Sequence, residues 1–144
     1  MKILVFLDKN IFSADTSLEI SENIVMKINE WLENGGEVEF LTESNKFMDL
    51  KKINEAIKSS GLPALTLHSK QDSEKLTAVI LDAKPQVFIE STLNAVDGVP
   101  VAKRLPAENK IVSIVIPAGE SLVDLSSKLE DLLENEEVVQ EVTE

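Results

Sequence analysis

The sequence predicts a single three-layer α/β/α domain around a five-stranded, mostly parallel sheet. Short apolar runs alternate along the chain with segments of helical periodicity, the pattern of strand–helix–strand units joined by right-handed crossovers. Gly and Pro punctuate the boundaries between them. The 144 residues, 43% of them hydrophobic, suffice for one proper core and show no internal repeat or linker-like stretch. The folded domain is expected to cover residues 1–134, leaving 135–144 as an acidic, frayed tail.

The first element is the run Met1 to Leu7, closed by Asp8. A run this apolar reads as a central strand covered on both faces. Residues 8–17 are polar and irregular. A helix follows, with Ile20, Ile24, Ile28, Trp31 and Leu32 on one stripe, Ser17 or Ser21 as its cap and Gly35-Gly36 as its stop. Trp31 on that stripe reads as core rather than as a ligand platform. Glu37 to Thr42 is the second strand. Leu50 to Ser60 reads as a helix closed by Gly61 and Pro63, and Ala64 to Leu67 as a short third strand. Ser73 to Ala83 is a helix carrying Leu76, Val79 and Ile80 inward, stopped at Lys84-Pro85. Gln86 to Glu90 is the fourth strand, and 91–109 is mostly loop with an extended piece at Val99–Ala102. Ile111 to Ile116 is the fifth strand, and a last helix is expected from Glu120 to Leu133.

Composition narrows function. The net charge of −12 argues against general nucleic-acid binding, which draws its affinity from Lys and Arg on phosphates, and disfavours anionic membranes. No apolar run approaches the roughly 20 residues of a membrane span. The N-terminal run is too short and too soon acidic for a secretory signal, so a cytoplasmic location is expected. Without cysteine there is neither disulfide nor thiolate metal site, and a single histidine, His68, disfavours a Ser-His-Asp triad. Part of the acidity lies in the tail, where Val138, Val139 and Val142 leave some room for partner docking.

The chemistry is expected at the carboxyl ends of the strands, where open α/β sheets bind ligands. Three strands finish in suitable residues: Asp8, Thr42 and Glu90. With the first strand central, flanked by the second and fourth, all three share one crevice. Carboxylates there can hold Mg²⁺, which takes oxygen ligands and keeps several waters. Asp8 can attack phosphorus as a nucleophile, Thr42 can hydrogen-bond a phosphoryl oxygen, and Lys70 or Lys75 can neutralise charge gathering in transfer. Each also has a purely structural reading: Asp8 and Thr42 as turn caps, Lys75 as solvated surface, Glu90 as a turn acid. No Gly-rich phosphate loop of the nucleoside-triphosphate type is present.

In this order and spacing the chain resembles the haloacid dehalogenase-like (HAD) superfamily of phosphohydrolases, whose first motif is an apolar strand followed by Asp-x-Asp-Gly-Thr. Residues Asp8 to Phe12 match that motif; Ser21 to Thr42 match the helix, Gly turn and second strand ending in Ser or Thr. Lys75, or else Lys70, matches the lysine motif, and Val87 to Ser91 the acidic fourth motif. The resemblance runs from residue 1 to about 116. It implies a sheet ordered 5-4-1-2-3, Asp8 as nucleophile, and Mg²⁺ held by Asp8, Glu90 and the backbone carbonyl of Asn10. The gaps between motifs are too short for a cap domain. A capless member needs another body over its site: a phosphorylated macromolecular substrate, a protein partner, or a second subunit in a homo-oligomer.

The first motif is degenerate. The family's second Asp protonates the leaving group and later activates water, and Asn10 stands in its place. An amide cannot shuttle a proton at neutral pH. Losing a positioned acid/base costs about 10² to 10⁴ in rate. Ile11-Phe12 replaces Gly-Thr, and the fourth motif keeps one acid, Glu90, where two are common, with Ser91 beside it. The expectation is therefore a HAD-like domain whose phosphohydrolase or phosphotransfer chemistry is impaired or lost. Two alternatives stand beside it: a non-catalytic HAD-like binding or scaffolding module, and a receiver- or flavodoxin-like regulatory domain.

Overall fold

The computed structural model describes residues 1–7, 20–44, 46–70, 75–94, 98–106, 110–117 and 120–133. Lys2–Phe6 forms strand β1, Glu37–Thr42 β2, Leu67–Ser69 β3, Val87–Ser91 β4 and Val112–Ile116 β5. Neighbouring strands all pair in parallel, in the order β3-β2-β1-β4-β5. This is the expected order, and the sheet is parallel throughout.

β1 is central because it has no side that tolerates water. Ile3, Val5 and Leu7 enter one core, while Leu4 and Phe6 enter another, and all five are 0–1% exposed. Helices α1 (Glu22–Glu33) and α2 (Phe47–Ser59) cover the first face, burying Ile24, Ile28 and Trp31, and Ile53 and Ile57, respectively. Helix α3 (Leu76–Ala83) lies on the second face, with Val79 and Ile80 packed on Leu4, Leu41 and Phe88. The chain thus steps outward from β1 to β3 along one face, then returns over the other to reach β4. That reversal places a topological switch point between the carboxyl ends of β1 and β4.

The sequence explains the boundaries of α1. Ser21 supplies the N-cap, its Oγ accepting the Ile24 N–H at 3.3 Å. At the other end the Gly36 N–H reaches the Trp31 carbonyl and the Gly35 N–H the Leu32 carbonyl, a Schellman ending with Gly35 at φ +93°. Gly36 is required for a separate reason: a Cβ there would lie 2.9 Å from the Trp31 carbonyl oxygen.

Three expectations are corrected. The third strand is Leu67–Ser69, not Ala64–Leu67, and its register sets Leu67 beside Phe40 and Ser69 beside Thr42. Pro63, which has no N–H to donate, precedes a stretch that joins β2 only at Thr66, whose carbonyl accepts the Phe40 N–H. The piece at Val99–Ala102 is extended only in its first half, where Val99 makes an isolated β-bridge and Pro100 has ψ 148°; Val101–Arg104 then forms a 3₁₀ turn. The last segment is not one helix. A 3₁₀ turn at Leu122–Asp124, held by a Ser121/Asp124 capping box, gives way to an extended Leu125, and helix resumes only at 129–133.

Tertiary hydrogen bonds explain that break. Lys27 and Trp31 on α1 and Asn34 at its C-cap lie at helical spacing, and each donates to one of three successive carbonyls. Lys27 Nζ meets the Leu125 oxygen at 2.6 Å, Trp31 Nε1 the Ser126 oxygen at 2.9 Å, and Asn34 Nδ2 the Ser127 oxygen at 2.8 Å. A carbonyl turned toward a donor on a neighbouring element competes with the axial alignment that the i→i+4 ladder requires. Ser127 Oγ also bonds the Glu30 carboxylate, and Ser126 Oγ accepts the Lys128 N–H at 3.1 Å to start the next turn. Among the described residues no helix is long and apolar enough to cross a membrane.

Trp31→Phe keeps most of the apolar volume but leaves the Ser126 carbonyl without its donor. It should lower unfolding free energy by about 1–3 kcal/mol, measured by urea denaturation followed by circular dichroism. A loss no larger than that of an exposed substitution on α1 would contradict the role given to this ladder.

Candidate functional site

Strand ends and the pleat decide which side chains can meet at the switch point. Phe6 pairs with Leu41 and Val5 with Ile89, so Thr42 and Ser91 lie on either side of Leu7 while Glu90 lies level with Phe6. Side chains alternate faces along a strand. Thr42 and Ser91 therefore belong to the α1/α2 face with Leu7, and Glu90 belongs to the α3 face with Phe6 and Leu41. The register does not bring Thr42 and Glu90 together on one face; it brings Thr42 and Ser91 there, both buried.

Thr42 and Glu90 each have local work. Thr42 Oγ1 accepts the Ser44 N–H at 3.2 Å, and Ser44 Oγ in turn donates to Asp49 Oδ2 at 2.8 Å in the first turn of α2. Thr42 thus fixes the turn that launches α2. Beyond Ser91 the chain bends back, its N–H held by Asn94 Oδ1 at 2.8 Å.

Glu90 is the most constrained of these residues. Its side chain is 0% exposed, and both carboxylate oxygens are engaged: Oε1 accepts the Val101 N–H at 2.9 Å and Oε2 the Ala102 N–H at 2.8 Å. These are orphan donors at the start of the 3₁₀ turn. The turn's own N-cap residue, Pro100, makes no side-chain cap bond. An acid from β4 supplies the missing cap across eleven residues of chain. Val101 and Leu105, on that same segment, close over Leu4, Phe6 and Phe88. Burial pushes the Glu90 carboxyl above its ordinary value of 4.5, and the two backbone N–H groups only partly oppose this.

Asp8 and Asn10 lie outside the described residues, as does the acidic tail. Lys75 is exposed at the cap position of α3, and Lys70 follows β3 at the sheet margin, half-buried. Among the described residues no three His, Cys, Asp or Glu side chains gather as a metal set. The Mg²⁺ ligands implied by the HAD resemblance therefore depend on Asp8 and Asn10. Glu90, the third, reaches a metal only by sharing or leaving its backbone donors.

One cluster was not anticipated from the sequence. His68 is the middle residue of β3, and its Nε2 lies 2.7 Å from Glu39 Oε1 on the neighbouring strand. Lys2 Nζ stands 3.6 Å from the other Glu39 oxygen and donates to the Ala83 carbonyl at 2.9 Å. Strand parity carries the signal for it, because Lys2, Glu39 and His68 all take the second face once the register is known. Without the register, nothing in the sequence links residues 29 and 37 positions apart.

Comparison with protein-family models, curated proteins and solved structures gives no match to this chain.

Glu90→Gln retains shape but turns one acceptor into a donor facing an N–H, at a cost of about 1–3 kcal/mol. The pH dependence has a definite sign. Because the native carboxyl titrates above 4.5, its contribution is fully present below that value and is lost as pH rises through the native pKa. The stability of wild type minus that of Glu90→Gln should therefore fall with rising pH above 4.5, then level off. Chemical denaturation of both proteins across the acidic to neutral range measures it. A difference that grows with pH would mean that the native carboxyl is stabilised in its charged form.

Proposed function

We propose that this chain is a cytoplasmic, capless HAD-like domain in which Mg²⁺-dependent phosphohydrolase or phosphotransfer chemistry is impaired or lost, with Asp8 as the would-be nucleophile. The observation that carries the reading is the state of Glu90. The acid of the fourth motif has both oxygens bonded to the backbone and no exposure to solvent. A metal-binding acid needs lone pairs directed at the ion. Asn10 adds the second deficit, since it cannot act as the acid/base. Asp8 directly follows Leu7 at the carboxyl end of the central strand, where a nucleophile of this class belongs.

The same observation favours the non-catalytic alternative as a second reading. If Glu90 serves only the fold, the strand ends form a binding or scaffolding surface. Its occupant would be a phosphorylated ligand or a protein partner that covers the capless crevice.

Asn10→Asp separates the two. Restoring the acid/base should create or raise Mg²⁺-dependent hydrolysis of an aryl phosphate by about 10²-fold or more if the remaining groups still converge. Asp8→Asn added to that variant should abolish the gain. No activity in either wild type or Asn10→Asp, with no Mg²⁺ binding by calorimetry, would remove the enzyme reading and leave the binding module.

A further inference from the structure

The two edges of the sheet are built differently. β3 is three residues long, half-buried, and carries the His68–Glu39 contact. β5 has five residues, Val-Ser-Ile-Val-Ile, with no charge, no internal Pro and no bulge in its register with β4. Among the described residues no strand lies on its outer side. A long apolar edge without charge or Pro is a template for another strand, and natural proteins usually guard against one.

The hydrogen-bond phase of that edge is fixed. The Val112 N–H bonds the Gln86 carbonyl at 2.9 Å, so Val112, Ile114 and Ile116 direct their backbone groups toward β4. Ser113 and Val115 consequently direct theirs outward. An outward-facing pair two residues apart is self-complementary under a two-fold axis through Ile114. Ser113 of each copy then stands opposite Val115 of the other, and each such pair exchanges both of its hydrogen bonds.

We propose that β5 is the dimerisation edge of this protein: a second copy of the chain adds its β5 antiparallel across a two-fold axis at Ile114, making one continuous ten-stranded sheet. The axis stands perpendicular to the sheet, so both copies keep their α1/α2 faces on the same side and the two Ile114 side chains meet as a non-hydrogen-bonded pair. Charge at the ends agrees with the antiparallel sense. Exposed Lys110 precedes β5 and exposed Glu120 follows it, so each copy's lysine end lies beside the other's glutamate end. Like charges would be juxtaposed in a parallel arrangement. The neutral strand also keeps the net charge of −12 out of the contact.

Light scattering coupled to size-exclusion chromatography, from micromolar to millimolar concentration, should give the mass of two chains. Val115→Pro removes an outward N–H without touching the ladder to β4, and should yield a monomer with unchanged circular dichroism. Ile114→Cys introduces the sole thiol of the chain. It should form an intermolecular disulfide on mild oxidation, since residues opposed in a non-hydrogen-bonded pair stand about 4.5 Å apart at Cα. Ser113→Cys, two residues out of register with its own copy, should cross-link far less. A wild-type monomer throughout the range, a folded Val115→Pro dimer, or cross-linking of Ser113→Cys equal to that of Ile114→Cys would each overturn the proposal. The cross-linking comparison stands even if Val115→Pro fails to fold.

Discussion

A carboxylate shut away from water must find donors inside the protein, and at Glu90 that requirement organises the second half of the fold. After β4 the chain has to travel to β5 and cover the second face of the sheet with little regular structure of its own. The 3₁₀ turn at Val101–Arg104 is too short to be stable alone and begins with unpaired N–H groups. Glu90 accepts two of them from the neighbouring strand. Val101 and Leu105 are thereby held over Leu4, Phe6 and Phe88, where Phe6 and Phe88 already meet with ring centroids 6.4 Å apart. Deep burial of the acid is the cost, visible in the upward displacement of its pKa.

The other face meets a similar problem with a different device. There the chain after β5 is laid down by donors from α1, with Lys27, Trp31 and Asn34 each taking a carbonyl of residues 125–127. Both irregular crossings are thus tied to the regular sheet and its first helix by polar groups whose partners are backbone atoms. The switch point between β1 and β4 lies at the carboxyl ends of these strands. It is surrounded by side chains already committed to architecture, namely Thr42 to the α2 turn and Glu90 to the 3₁₀ turn. This commitment is what weighs the proposed function toward weakened chemistry.

Much of the fold was legible in the sequence because it rests on period and punctuation. The unbroken apolarity of Met1 to Leu7 marked the central strand, the stripe from Ile20 to Leu32 marked α1, and Gly35-Gly36 marked its end. What misled were segments governed by contacts distant in sequence. Glu120 to Leu133 has helical composition, yet three carbonyls within it are claimed by α1. The extended start at Val99 and Pro100 does not continue, because an acid eleven positions before Val101 caps the chain there as a turn. At the site, the sequence identified Thr42 and Glu90 as strand-end residues but not their faces. Face follows from register, and register emerges only when strands are paired.

Whether Glu90 belongs to the fold or to a metal is decided most directly by one structure. Crystals of the wild-type protein soaked with Mg²⁺ and fluoroaluminate would show the acid in the presence of both ion and phosphoryl mimic. The prediction is that Glu90 keeps its bonds to the Val101 and Ala102 N–H groups and stays out of the coordination sphere of any Mg²⁺ that binds near Asp8. A Glu90 carboxylate ligating Mg²⁺, with the 3₁₀ turn released or a fluoroaluminate seated between Asp8, Thr42 and Lys75, would contradict it.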